Sequence, residues 1–149
     1  MQKKINYSLE RLIIETNAIH AVFATKSGEI LEHRGLNIGM QIVSITALLT
    51  GVFNTTKEMA KIIDEHNFNQ FFIKGREWKL FYQDISSLFI LIVLFKDRTL
   101  LGTVKLSSER FAKRVKRIFE KENTKGLETR VLSGEGAPEE DLLEELFKE

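Results

Sequence analysis

A run of eight consecutive apolar residues, 88–95, stands out in the hydrophobic pattern of the chain. A strand with one solvent-facing side alternates apolar and polar residues, whereas a strand covered on both faces is apolar throughout. The run is much shorter than the roughly 20 residues of a membrane-spanning helix. A buried helical segment is the alternative, but the β-branched and aromatic residues favour a strand. We therefore predict a central strand with structure packed on both of its faces.

The patterns on either side of this run predict the remaining elements. Apolar residues at spacings of three and four indicate helices, and short segments around Gly28 and Gly75 indicate two β-hairpins. The predicted elements are a helix over 6–17, strands over 19–25 and 29–33, a long helix over about 38–65, strands over 68–74 and 78–85, the central strand, and a helix over 99–122. Ser107 is an alternative start for the last helix.

Two faces of the long helix differ in kind. One predicted stripe is apolar: Ile38, Ile42, Ile45, Leu49, Val52, Thr56, Met59 and Ile63. The other is a row of small residues: Ser44, Ala47, Gly51 and Thr55. A glycine within a helix costs about 1 kcal/mol relative to alanine. Close approach of a helix from a second chain would explain Gly51, and packing of Gly51 on its own sheet is the alternative.

Charge divides the chain into a basic body and an acidic end. Residues 126–149 hold eight acidic and two basic residues, a net charge of −6, so the overall charge of +1 leaves +7 on residues 1–125. We predict a body over 1–124 and, over 125–149, an acidic linker followed by a short amphipathic helix that starts at Pro138. Such a short helix needs a groove to lie in, and a free acidic tail is the alternative.

No pattern for reaction chemistry is present. The absence of cysteine excludes disulfides and thiolate metal sites. His20, His33 and His66 have no metal-ligand spacing, so we interpret them as structural or surface residues. Phosphate-binding-loop and serine-nucleophile motifs are missing as well. We therefore predict a protein that is not an enzyme and has no catalytic residue, cofactor or metal. Arg34 and Arg76 lie in loops where an arginine finger could project, although a solvated charge is the commoner role.

The order of the predicted elements resembles that of a known family. Residues 21–31, a long helix, three strands ending in an apolar one, and residues 100–104 entering a helix are together similar to the Roadblock/dynein light chain family. The resemblance covers about residues 5–122 and includes Gly28 and Gly102. It implies an α-β-β-α-β-β-β-α sandwich of the α+β class. In this fold a five-stranded antiparallel sheet has the long helix on one face and the terminal helices on the other.

The resemblance also implies an interface and a function. Family members are typically dimers, joined through the long helix and the strand after it. The positions here are Ser44, Ala47, Leu48, Gly51, Thr55, Phe71, Phe72 and Ile73. MglB-like members regulate bacterial Ras-like GTPases, some as GTPase-activating proteins, by repositioning residues of the GTPase. We therefore expect a cytoplasmic, non-catalytic homodimer that regulates or scaffolds a small Ras-like GTPase.

Three further expectations complete the functional interpretation. The GTPase is expected to dock on exposed positions of the long helix: Lys57, Glu58, Lys61 and Asp64. A basic face on the last helix is the basis of an alternative function, binding of nucleic acid or an anionic surface. Its residues are Arg110, Lys113, Arg114, Arg117 and Lys121. A small-molecule sensor with a pocket beside the sheet is a further alternative. We expect no membrane segment, and nucleic acid is the less favoured partner because no aromatic residues interleave the basic face.

Overall fold

The computed structural model describes residues 1–36 and 41–133, with side chains through residue 122. Its helices and strands follow the predicted order. They are α1 (Gln2–Thr16), β1 (His20–Thr25), β2 (Ile30–Gly35), α2 (Ile42–Ile62), β3 (Gln70–Lys74), β4 (Lys79–Ile85), β5 (Phe89–Phe95) and α3 (Leu101–Ser133). None of the helices in these two ranges is long and apolar enough to cross a membrane.

The five strands form one antiparallel sheet with the order β2-β1-β5-β4-β3. β5 lies in the middle, between β1 and β4, and all seven of its residues are buried. The continuous apolar run therefore forms the central strand, as predicted. β2 and β3 are the two outer strands, and each is only partly buried.

Side chains of β5 alternate between two hydrophobic cores. Phe89, Leu91, Val93 and Phe95 pack with residues of α1 and α3, including Leu9 and Phe111. Ile90 and Ile92 point to the other face and pack with Leu49 and Phe53 of α2. One long helix thus covers one side of the sheet and the two terminal helices cover the other, which confirms the predicted sandwich.

Two glycines shape the β1–β2 hairpin. Gly28 has φ +97° in the connecting turn, a conformation that other residues rarely adopt. Gly35 has φ +138° and ends β2 opposite His20. A Cβ at residue 35 would overlap the carbonyl oxygen of Ile19. Only glycine therefore allows β2 to stay paired with β1 at this end.

The apolar stripe predicted for α2 is partly wrong. The helix buries Thr46, Leu49, Thr50, Phe53 and Ala60 against the sheet. The predicted stripe members Val52, Met59 and Ile63 are instead 43%, 53% and 61% exposed. The helix has apolar residues on more than one face, and its rotation is set by Phe53, whose ring stacks on Tyr82 of β4. Spacing along the chain could not choose between these faces.

The last helix also differs from its predicted extent. α3 continues without a break to Ser133, so residues 125–133, predicted as linker, are helical. Extending an existing helix needs no new nucleation, which offsets the roughly 1 kcal/mol cost of Gly126. The predicted short helix after Pro138 lies outside the described residues. The division into a body over 1–124 and an acidic segment over 125–149 stays a prediction.

Candidate functional site: the outer face of α2 and the β3 edge

The side of α2 that faces away from the sheet is unusually apolar for an exposed surface. Leu48 is 72% exposed and Ile62 is 85% exposed. We call the following exposed residues the outer face of α2: Val43, Ser44, Ala47, Leu48, Gly51, Val52, Thr55, Met59 and Ile62. The predicted interface residues of the long helix therefore all lie on one accessible surface. Contiguous apolar surface of this kind marks interaction sites in soluble proteins.

Gly51 lies near the centre of the outer face. A Cβ placed on it would have no heavy atom within 4 Å, apart from its chain neighbours and its own helix backbone. The alternative that Gly51 packs against its own sheet is therefore wrong. Four residues further on, the Thr55 hydroxyl donates to the Gly51 carbonyl oxygen at 3.0 Å. This bond satisfies the hydroxyl within the helix, so the surface around Gly51 has little polar character.

β3 places its aromatic residues on opposite faces of the sheet edge. Phe71 stacks on Tyr82, with ring centroids 4.6 Å apart, on the α2 side. Phe72 stacks on Phe95 at 6.0 Å on the other side, and both Phe72 and Ile73 are more than a third exposed. Because β3 is an outer strand, its outward backbone groups are available for pairing with another chain.

A cluster of three aromatic rings joins α2 to β3. The Tyr82 ring centroid lies 4.4 Å from that of Phe53 in α2 and 4.6 Å from that of Phe71 in β3, and the Phe53 and Phe71 centroids are 6.2 Å apart. The Tyr82 hydroxyl is buried and has no hydrogen-bond partner among the described residues. Burial, together with the nearby Asp84 carboxylate, raises the pKa of Tyr82 far above its usual range, so the phenol stays neutral. The two parts of the predicted interface are thus held in a fixed relation by the same core residues.

The four predicted GTPase-docking residues do not form a single patch. Lys57 turns towards the sheet, with its Nζ 4.8 Å from the centre of the Phe53 ring. Glu58 and Lys61 form an exposed ion pair with each other at 2.9 Å. Asp64 follows the helix in a left-handed conformation and pairs with His66 at 3.1 Å. Glu58 and Lys61 are therefore accessible charges, whereas Lys57 belongs to a different environment.

Lys57 belongs to a small charged cluster that sequence reasoning missed. Lys26, in the β1–β2 turn, forms an ion pair with Asp84 of β4 at 2.9 Å. Burial and the proximity of Lys26 lower the pKa of Lys57. The Asp84 carboxylate acts on the pKa of Lys57 in the opposite direction. Lys26 and Asp84 lie far apart in the chain, so their meeting depends on the fold.

Two histidines that the sequence placed apart are also brought together. His20 Nε2 lies 3.0 Å from His33 Nδ1, and the two rings are stacked with centroids 5.1 Å apart. Burial lowers the pKa of His20, and the neighbouring His33 adds to this effect. Within the part of the chain that the structure describes, no three metal-binding side chains cluster. The contact between His20 and His33 follows from the β1–β2 pairing and has no signal in their spacing along the chain.

Neither of the arginines considered as an arginine finger is specially placed, and Arg34 lies within β2 rather than in a loop, so that part of the prediction is wrong. Arg34 contacts Glu10 at 3.6 Å and Glu32 at 3.4 Å, which hold it along the β2 edge. Arg76 is exposed in the β3–β4 turn.

Solved structures resemble this arrangement along most of the chain. MglB from Myxococcus xanthus is 28% identical in sequence, with a TM-score of 0.76, over 80% of this chain and 90% of that one. The fold is Roadblock/MglB-like. The gliding protein MglB from Thermus thermophilus shares it at 23% identity and a TM-score of 0.72, over 77% of this chain and 87% of that one. No protein-family model and no curated protein matches the sequence.

A Roadblock/LC7 domain from Streptomyces avermitilis shows how far the shared architecture extends. It is 17% identical, with a TM-score of 0.68, over 74% of this chain and 93% of that one. The likeness at such low identity concerns the fold alone. The predicted Roadblock-like order of elements and five-stranded antiparallel sheet are therefore confirmed. In this Roadblock/MglB-like fold α2 and β3 lie side by side, linked by the ring cluster of Phe53, Tyr82 and Phe71.

Proposed function

We propose that the protein is a cytoplasmic homodimer that regulates or scaffolds a small Ras-like GTPase by binding, without reaction chemistry of its own. The observation that carries the proposal is the exposed apolar outer face of α2 around Gly51, on a Roadblock/MglB-like fold. The resemblance noted in the sequence links MglB-like proteins with Ras-like GTPases. The likeness to Myxococcus xanthus MglB, at 28% identity, supports the same assignment.

In the proposed dimer the two α2 helices pack against each other at Gly51 and the two β3 strands meet at their edges. A two-fold interface brings the same surface of each chain together. Gly51 and Ala47 would let the helix backbones approach closely, and Leu48 would be buried. Pairing of the β3 edges would also remove an exposed strand edge that includes Phe72 and Ile73.

Introducing a charged side chain at the centre of the proposed interface tests the dimer. Leu48→Glu would place a carboxylate in an apolar contact, so we expect its molar mass in solution to fall from twice 17.2 kDa to 17.2 kDa. Leu106→Glu is the matched control, because Leu106 is 50% exposed on α3 and lies outside the proposed interface. Light scattering coupled to size exclusion measures both variants. A wild-type protein that stays monomeric at high concentration would exclude the dimer.

The GTPase assignment is tested with the Ras-like GTPase of the same genome. We expect a complex, together with a change in the rate of GTP hydrolysis or of nucleotide exchange. Lys61→Glu, which reverses an accessible charge on α2, should weaken the complex at least about tenfold, equivalent to roughly 1.4 kcal/mol. Lys116→Glu applies the same charge change to α3 and should leave the affinity unchanged. Absence of both a complex and any rate change would refute the regulator.

A further inference from the structure

A basic groove runs along the junction of α1 and α3, on the side of the molecule away from α2. Its volume is about 510 Å³. Cationic side chains line it: Lys3, Lys4, Arg114, Arg117 and Lys121. Glu122 is the acidic residue in the lining. Among the described residues, Lys3, Lys4 and Lys121 have no ion-pair partner, so the groove carries uncompensated positive charge.

The groove also offers an apolar surface. Tyr7 is 64% exposed on α1, and Ile118 lies half-buried on α3 beside the core residues. Both side chains line the space between the cations. A phosphate polymer would contact only the cations and would leave the apolar surface exposed. An acidic peptide with leucine and phenylalanine side chains can contact both the cations and the apolar surface. The groove therefore fits an acidic amphipathic segment.

The chain itself contains such a segment. Between residues 138 and 149 the sequence has six acidic residues and one lysine. Its apolar residues are Leu142, Leu143, Leu146 and Phe147. The segment thus matches the groove in charge and in apolar content.

The segment can also reach the groove of its own chain. α3 rises about 1.5 Å per residue, so Ser133 lies about 18 Å beyond Lys121 along the helix. Residues 134–137 span up to about 13 Å when extended, and the segment after them adds about 18 Å even when helical. A chain that turns back along α3 therefore brings residues 142–147 to the level of Lys121 and Arg117.

We propose that residues 138–149 dock in the α1–α3 groove of the same chain. The acidic side chains pair with the cations at its rim, and the leucines and Phe147 cover Tyr7 and Ile118. Docking shields the basic groove from nucleic acid and anionic membranes. This inference is independent of the proposed dimer and GTPase, because it concerns the opposite side of the sheet.

The test uses the full chain. Because the protein has no cysteine, Lys148→Cys creates a single attachment point for a nitroxide label. In nitrogen-15-labelled protein at low salt, we expect the nitroxide to broaden the amide signals of residues 3–8 and 114–122 more than those of β3. Arg117→Glu with Lys121→Glu should remove this broadening. Lys113→Glu with Lys116→Glu, an equal charge change on α3 outside the groove lining, should retain it.

Two outcomes would overturn the proposal. One is an absence of broadening at the groove, or broadening that survives Arg117→Glu with Lys121→Glu. The other is broadening that transfers to an isotope-labelled chain without nitroxide when it is mixed with an unlabelled, nitroxide-bearing chain, since the segment would then belong to a second copy.

Heparin provides a second readout of the same site. A variant with Glu139, Glu140, Glu144 and Glu145 changed to Gln should leave the groove open and elute from heparin at higher salt than wild type. A further Arg117→Glu and Lys121→Glu change should abolish that gain. Equal retention of the wild type and the four-site variant would show that the acidic segment does not cover the groove.

Discussion

At the scale of single residues, Tyr82 combines favourable ring contacts with an unfavourable buried hydroxyl. Its ring contacts those of Phe53 and Phe71, while its buried hydroxyl lacks a hydrogen-bond partner among the described residues. An unsatisfied buried polar group costs about 1–3 kcal/mol. We expect Tyr82→Phe to keep the stack and raise the free energy of unfolding by about 1 kcal/mol, measured by urea denaturation. Tyr7→Phe, at an exposed residue, is the control and should change little.

Single residues of the candidate site differ in how far the sequence alone predicts their role. The small residues around Gly51 were recognisable because a glycine within a helix has a cost that demands a reason. The sequence predicts Lys57 as an exposed helix charge, but its contact with Phe53 and its proximity to Lys26 depend on which face of α2 meets the sheet. The His20–His33 contact depends on the β1–β2 register, in which His20 faces Gly35 and His33 faces Val22.

At the scale of elements, the strands were more predictable than the helix faces. The unbroken apolar character of β5 leaves it one plausible environment, the middle of a covered sheet. α2 instead carries apolar residues around much of its circumference. Some, such as Leu49 and Phe53, pack on the sheet, and others, such as Leu48 and Val52, are exposed. A helix that is apolar on two sides has no unique periodic stripe, so spacing alone could not identify the side that meets the sheet.

Two substitutions of Gly51 distinguish the role of α2 in folding from its proposed role in self-association. Gly51→Ala should raise the free energy of unfolding of the monomer by up to about 1 kcal/mol, since the added methyl group meets no described atom. Gly51→Leu should keep the monomer folded but weaken self-association at least about tenfold, because the larger side chain separates the paired helices. Urea denaturation and sedimentation equilibrium measure the two effects.

The matched control for Gly51 is a second exposed helical glycine, Gly102. A Cβ there also has no heavy atom within 4 Å outside its own helix backbone and chain neighbours. Gly102→Leu should therefore leave self-association unchanged. If Gly51→Leu and Gly102→Leu behave alike, the outer face of α2 is not the interface.

At the scale of the whole molecule, the His20–His33 pair makes stability depend on pH. Burial lowers the pKa of His20 from its ordinary value of 6.5. Between 6.5 and that lower value, the unfolded chain binds a proton that the folded chain does not. The free energy of unfolding therefore falls as the pH is lowered through this range, by at most about 1.4 kcal/mol per pH unit for one site.

Replacement of the histidines tests this sign. His20→Gln should flatten the pH dependence of the free energy of unfolding below pH 6.5, the ordinary histidine pKa, as measured by urea denaturation at several pH values. His66→Gln is the control, since His66 is 84% exposed and pairs only with the exposed Asp64 among the described residues. An unchanged slope in His20→Gln would assign the acid sensitivity to other groups.

The fixed backbone at Gly35 has a consequence for how mutations should be tolerated across this molecule. Any side chain at that position overlaps the Ile19 carbonyl oxygen, so a library of single substitutions should lose every variant at residue 35 under a selection for folded protein alone. Variants at residue 51 should survive the same selection and disappear only when growth requires the assembled protein. Comparing the two selections would map, residue by residue, which positions serve the fold and which serve association.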